Sequence, residues 1–134
     1  MRIISGKLRG KSISFLKNLN TRPLKDSVKE SIFNIIIHSN SLNIEIKDSN
    51  ILDLYSGVGS FGLECISRGA NKVTFIEQNK LACETLKKNL NQLSVNDKAT
   101  LINDDVENIF LRNKKFDIFF FDPPFADNKF IKIL

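Results

Sequence analysis

Four carboxylates and three glycines stand at spacings that chemistry can use. In "ILDLYSGVGSFGLEC", Asp53 precedes Gly57, Gly59 and Gly62, a G-x-G-x-x-G run. Glycine is required where backbone must approach a ligand closely or take positive φ, and the unpaired N–H groups at the start of a following helix point toward such a ligand. Glu77 follows Gly57 by 20 residues, the interval at which a carboxylate on a second strand's tip meets ribose hydroxyls. Two ligands satisfy that much, a dinucleotide and S-adenosylmethionine. Asp53 separates them in part, because a carboxylate there repels a pyrophosphate and suits the ammonium of a methionine moiety. In "LINDDVENIF" a strand runs into Asp104 and Asp105. Asp105 is favoured as acceptor for an adenine amino group, with the Val106 N–H facing the ring; a helix N-cap is the competing use.

A further carboxylate lies in "FDIFFFDPPFADN", where an apolar strand ends at Asp122. Pro123 and Pro124 preset the backbone as an extended rim, so the Asp122 carboxylate and the Pro123 carbonyl become two fixed acceptors, followed by the ring of Phe125. That set suits methylation of the exocyclic amine of a nucleobase. The amine is a poor nucleophile because its lone pair is delocalised into the ring. Accepting hydrogen bonds from both of its protons favours a pyramidal nitrogen and turns the lone pair toward a methyl sulfonium, while Phe125 stacks on the base. Taken alone, D-P-P-F reads equally as a rigid surface turn. The glycine run, Glu77 and Asp105 shift the balance toward chemistry.

His38 is the only histidine, which leaves a His-based triad or a multi-histidine metal site almost nothing to be built from, and no metal is expected. Cys65 and Cys83 lack C-x-x-C spacing and read as buried free thiols. The charge is lopsided. Residues 1–30 hold eight Lys or Arg against Asp26 and Glu30, so the other 104 residues carry −1 of the total +5. A basic arm beside a near-neutral body is the footprint of a polyanion partner, and Arg2, Lys7, Arg9, Lys11 and Arg22 are the candidate nucleic-acid contacts, RNA contacts if the resemblance below holds.

The elements must position these groups. At 134 residues, 42% apolar and 26% charged, a single domain spanning 1–134 is expected: a small basic N-terminal strand and helix extension over 1–40, then a core over 51–134. No apolar run approaches the roughly 18 residues of a membrane span and the start lacks a secretory pattern, so no membrane partner and a cytoplasmic location are expected. "RIISGKLRGKSISF" suggests one or two short strands. "DSVKESIFNIII" predicts an amphipathic helix with Val28, Ile32, Ile35 and Ile36 on its apolar side, Asp26 or Ser27 as N-cap and Ser27 to Glu30 as a capping box. Strands follow at 51–54, 72–77, 99–102 and 116–121, with helices near Phe61 to Arg68 and Leu81 to Leu90. Such alternation predicts an α/β fold with a parallel sheet of order 3-2-1-4, helices on both faces and right-handed crossovers.

The segments "DLYSGVGSFGLECISRGA", "VTFIEQN", "NDDV" and "FFFDPPF" resemble the bacterial small-subunit ribosomal RNA guanine-N2 methyltransferases of the RsmD type. "MRIISGKLRGKSI" and "TRPLKDSVKESIFNII" look like that family's opening, and the match covers essentially the whole chain. D-P-P-F is shared with adenine-N6 and cytosine-N4 enzymes, so the N-terminal segments carry the narrower assignment. The resemblance implies a Rossmann-like class I methyltransferase using S-adenosylmethionine on the N2 amine of a guanine in 16S rRNA, in an assembling small subunit, with the base taken out of its stack. It implies Asp122, Pro123 and Phe125 as catalytic, and adds Tyr55 and Gln78 to the cofactor contacts Asp53, Gly57, Gly59, Glu77, Asp105 and Val106. Lys29 stands where the family has arginine, Leu24 where it has threonine and Tyr55 where phenylalanine is common, so phosphate contacts at 24 and 29 are expected to differ. Family members continue past this motif, so strands five to seven are expected to be missing. The alternatives are an adenine-N6 methyltransferase acting on DNA or RNA, and a catalytically dead RNA-binding remnant; a nicotinamide dehydrogenase is more distant.

Overall fold

The computed structural model describes residues 1–16, 25–39, 43–109 and 115–123. Four short apolar runs form one parallel sheet: β1 (Asn50–Leu54), β2 (Lys72–Ile76), β3 (Ala99–Ile102) and β4 (Ile118–Phe121). Their order is β3-β2-β1-β4, the order expected from the alternation of strand and helix. Pairing is in step across the sheet, with Asp53 opposite Phe75 and Phe120, and Leu54 opposite Ile76 and Phe121. Two strands are shorter than predicted. Glu77 leaves β2 because its side chain turns to the glycine loop, and Asp117 precedes β4 as a lead-in that exchanges bonds with Asn50.

The α-helices are α1 (Asp26–His38), α2 (Ser60–Ser67) and α3 (Lys80–Gln92). One face of the sheet, carrying Ile51, Val73, Phe75 and Ile118, closes the core with Phe61 and Leu63 of α2, Leu86 and Leu90 of α3, and Phe33 of α1. All three described α-helices therefore serve the same face. For α2 and α3 this is the outcome of two successive right-handed crossovers that step the same way along the sheet, and α1 joins them through the stack of Phe33 on Phe61. The return connection from β3 to β4 runs through residues 103–117, of which 110–114 lie outside the described residues. No helix is long and apolar enough to cross a membrane, among the described residues.

The N-terminal segment and α1 depart from expectation. The predicted strands reduce to one antiparallel bridge, Arg2 to Ser12, supported by Ile3 N–H to Lys11 O and Ile13 N–H to Met1 O, both 2.9 Å. In α1 the N-cap is Lys25 with no side-chain bond, so neither Asp26 nor Ser27 caps it and the capping box does not form. The predicted apolar side holds in part: Ile32 and Ile36 pack against the core, but the other two residues do not. Val28 and Ile35 are 45% and 60% exposed, whereas Lys29 and Phe33 are fully buried. Phe33 stacks on Phe61 at 5.1 Å with the Arg68 guanidinium 4.3 Å from its ring.

Lys29 turns inward because Glu64 waits there. Glu64, fully buried on α2, accepts the N–H groups of Ile4 and Ser5 at 2.9 and 3.0 Å and the Arg68 Nε–H at 2.8 Å, and lies 3.3 Å from the Lys29 ammonium. Lys29 also donates to Arg2 O at 2.8 Å and Ser60 Oγ at 3.2 Å. Lys29 is thus a structural cation and no phosphate contact, correcting the reading from the family's arginine. Burial alone would raise the Glu64 carboxyl, but the Ile4 N–H, Arg68, Lys29 and Ser5 N–H together hold it below its usual range. Burial lowers Lys29, with Glu64 pulling the other way.

Glu64→Ala leaves a buried ammonium uncompensated and is expected to cost about 3–5 kcal/mol in denaturant unfolding. A carboxylate with a depressed folded pKa contributes stability above its unfolded value of 4.5, lost as pH falls. The wild-type advantage over Glu64→Ala should accordingly shrink in acid titration.

Candidate active site

At the tip of β1 the chain reverses through Tyr55, Ser56 and Gly57 before α2 begins. Tyr55 holds φ 56° and Gly57 φ 57°, and the N-cap Gly59 is left-handed at φ 94°. A tyrosine in that region is strained backbone, of the kind that collects at functional sites. Ser56 N–H bonds Ile76 O at 3.0 Å, hanging the turn on β2. The glycines divide by environment. A Cβ at Gly57 would meet nothing within 4 Å, so this peptide faces open space, while a Cβ at Gly62 would fall 2.2 Å from the Phe75 ring. Gly57 leaves room for a ligand; Gly62 lets α2 sit tightly on β2.

Asp53 and Glu77 brace this turn from beneath and beside it. Asp53 is 1% exposed and accepts the Gly62 N–H at 3.1 Å, at the N-terminus of α2. Burial pushes its carboxyl up to about 8 against that hydrogen bond, and Asp122 and Glu77 add repulsion. The half-buried Glu77 accepts Gly57 N–H at 2.8 Å through one oxygen and Asn79 N–H at 2.9 Å through the other. Asn79 in turn caps α3 by accepting Ala82 N–H at 2.9 Å. Gln78 is exposed beside Glu77.

Asp122 reaches the same place through β4. Because Phe121 pairs with Leu54, Asp122 and Pro123 emerge one step beyond the ladder, level with Tyr55. Ring contacts fix that register. Phe120 stacks on Phe61 at 3.8 Å, and Phe121 meets Tyr55 edge-on at 5.4 Å. Asp122 and Pro123 are both half-buried. Pro124 and Phe125 lie outside the described residues, as does Arg22.

The remaining predicted residues lie on other segments. Asp105 caps the 3-10 turn Val106–Asn108, its carboxylate accepting Glu107 N–H at 3.0 Å, which is the competing use foreseen for it. The basic loop is gripped at the other end of α2: Lys7 N–H bonds Ser67 O at 2.8 Å, and Leu8 N–H bonds Ser67 Oγ at 2.9 Å. Lys7, Arg9 and Lys11 are exposed there, about 12 Å from the turn by the length of an eight-residue helix. Arg2 is exposed and lies 3.8 Å from Asp26.

Two residues that sequence reasoning missed complete the site. Asn103 donates to Glu77 O and Gln78 O at 2.9 and 3.1 Å, tying the tip of β3 to that of β2. Asn89 of α3 donates to Val58 O in the glycine turn at 3.1 Å. The asparagine at the end of "LIN" was a usable signal; a single asparagine in a helix was not. A groove of about 240 Å³ lined by Asn50, Lys72, Thr74, Thr100, Lys115 and Phe116 opens at the opposite, N-terminal ends of the strands. Ligands of open α/β sheets bind at the carboxyl ends, so that groove is not the candidate site. No cluster that could hold a metal ion occurs among the described residues.

Gly62→Ala must displace the Phe75 ring and is expected to cost about 1–3 kcal/mol in thermal or denaturant unfolding. Asp53 gives a pH test. Its folded pKa is raised, so its contribution to stability is full below 3.8 and is lost as pH rises through about 8. Asp53→Asn should therefore gain on wild type across that window in melting temperature.

Comparison with known proteins agrees with this architecture. The model of the family described as "Conserved hypothetical protein 95" matches residues 1–134. Ribosomal RNA small subunit methyltransferase D of Haemophilus influenzae is 37% identical over 96% of this chain and 65% of its own length. YlbH of Bacillus subtilis, an rRNA methyltransferase candidate, is 34% identical over 100% of this chain and 72% of its own. The solved structure of a methyltransferase candidate, yhhF from Escherichia coli, superposes with a TM-score of 0.76 at 33% identity, covering 93% of this chain and 64% of that one. The chain thus spans about two thirds of the length of the proteins it matches. With residues 1–134 matched by the family's pattern, on a Rossmann-like methyltransferase sheet, the chain belongs to the conserved hypothetical protein 95 family, the family of the RsmD-type methyltransferases.

Proposed function

We propose that this chain binds S-adenosylmethionine and methylates ribosomal RNA, at the exocyclic N2 amine of a guanine in the 16S rRNA of an assembling small subunit. The observation that carries the reading is the register of β1 and β4. It brings Asp122 and Pro123 level with the Tyr55 to Gly59 turn, with Asp53 and Glu77 in electrostatic reach. The RNA substrate class is supported by the names of the relatives.

The residues present fit the cofactor. Asp53, Glu77 and Asp122 place carboxylates around a turn whose Gly57 faces open space, and burial together with those neighbours raises Asp53 to about 8, so its ionised form is disfavoured without a counter-charge. A cation relieves that repulsion, which a pyrophosphate would worsen. Ser56 Oγ, buried in the same turn, has no hydrogen-bond partner among the described residues. Asp53, Tyr55, Gly57 and Gly59 would hold the methionine end, Glu77 and Gln78 the ribose, and Asp105 and Val106 the adenine. Bound there, the cofactor supplies an electrophilic methyl on a sulfonium.

The protein's part is orientation. Asp122 and the Pro123 carbonyl accept the two amine protons, favouring a pyramidal nitrogen whose lone pair is free to attack, and Asp122 takes up the released proton afterwards. Phe125 stacks on the base. Lys7, Arg9 and Lys11 sit an α2 length from the turn, so they hold RNA phosphates beyond the target nucleotide, with Arg2 and Arg22 extending the contact.

Calorimetric titration of the chain with S-adenosylmethionine should show one site, weakened about tenfold or more by Glu77→Ala. Absence of heat with retained RNA binding would instead favour the RNA-binding remnant. With small-subunit rRNA as substrate, mass spectrometry should find N2-methylguanosine, and Asp122→Ala should lower kcat by about 10²–10³. Methylated adenine in its place would overturn the guanine assignment.

A further inference from the structure

We propose that Asn89 is a positioning residue that couples the basic N-terminal loop to the cofactor turn, so that a ligand on one steadies the other. The identity of the two ligands rests on the functional reading above; the coupling itself rests on geometry. Asn89 is 1% exposed on α3, and every polar group of its amide is used. Its Oδ1 accepts Ser14 N–H at 2.9 Å, and its Nδ2 donates to Ser14 O at 3.0 Å and to Val58 O at 3.1 Å. Ser14 follows the bridged part of the loop, and Val58 sits between Gly57 and Gly59.

Anchoring the loop does not need this arrangement. Glu64 and Ser67 already hold Ile4, Ser5, Lys7 and Leu8 at the far end of α2. What Asn89 adds is a bond to the turn. The Val58 carbonyl belongs to the same peptide as the Gly59 N–H, which bonds Ser56 O at 2.9 Å, so moving it moves the turn's own hydrogen bond. A displaced Ser14 must either drag this peptide along or leave buried donors and acceptors unpaired, and in a dry interior the second course is the costlier. RNA that stills the loop therefore stills the turn that receives the cofactor, which is coupling in the thermodynamic sense.

Amide hydrogen exchange followed by NMR on the full chain tests this in two arms. In the ligand-free arm the loop is loosened by Gly10→Ala, which strains a φ of +82° while its Cβ meets nothing within 4 Å. Exchange should quicken about fivefold at the loop amides of Ile3 and Ile13 and also at the Gly59 amide of the turn. In an Asn89→Ser background the same substitution should quicken the loop amides alone. In the second arm, S-adenosylmethionine should slow the loop amides of wild type and not those of Asn89→Ser. Asn89→Asp, which keeps the acceptor for Ser14 N–H and alters the donor side, serves if the serine variant does not fold. A Gly59 response to Gly10→Ala that is absent in wild type, or that survives both Asn89 variants, overturns the proposal. If the cofactor does not bind at all, the functional reading falls while the ligand-free arm still decides the coupling.

Discussion

A single buried carboxylate organises the helical face of this protein. Glu64 costs several kcal/mol to desolvate and is stable only because the backbone of Ile4 and Ser5, the guanidinium of Arg68 and the ammonium of Lys29 all converge on it. Those partners come from three separate stretches of chain. Satisfying one acid therefore fixes the N-terminal loop and α1 against α2. The first turn of the same helix carries Gly62 with its bond to Asp53, and Lys29 also bonds Ser60 there. The contacts that satisfy Glu64 therefore run along the helix to the turn it presents, so the same network steadies the loop that positions chemistry.

The candidate site is built on a contrasting principle. Where Glu64 is compensated, Asp53 is not: among the described residues it accepts a backbone N–H alone, that of Gly62, and two further carboxylates repel it. Packing of Phe120 on Phe61 and of Phe121 against Tyr55 keeps β4 in register and so keeps Asp122 near Asp53 despite that repulsion. The fold holds an electrostatically uncomfortable arrangement that a positively charged ligand would relieve, the pattern by which sites are commonly distinguished from structural acid pairs.

Much of this was legible in the sequence, for definite reasons. The sheet order followed from strand and helix alternation, and the neighbourhood of Asp53, Gly57 and Glu77 followed from spacing, since both carboxylates sit at strand tips where register leaves little choice. The face of α1 was misread in part, because hydrophobicity assigns Val28 and Ile35 inward and Lys29 outward. A buried acid on a helix 35 residues away reverses that, and no local pattern reports it. Asn89 was invisible for the same reason: its partners Ser14 and Val58 are distant in sequence and contacted through their backbones, which carry no residue signature.

The span of these contacts bears on how the chain is made. Ser14 meets Asn89 across 75 residues and Ile4 meets Glu64 across 60. The segment synthesised first cannot settle until α2 and α3 have left the ribosome, and closing such long loops is slow relative to local helix formation. During elongation the basic segment before α1 therefore stays unsatisfied, its backbone donors waiting for a helix that is not yet made.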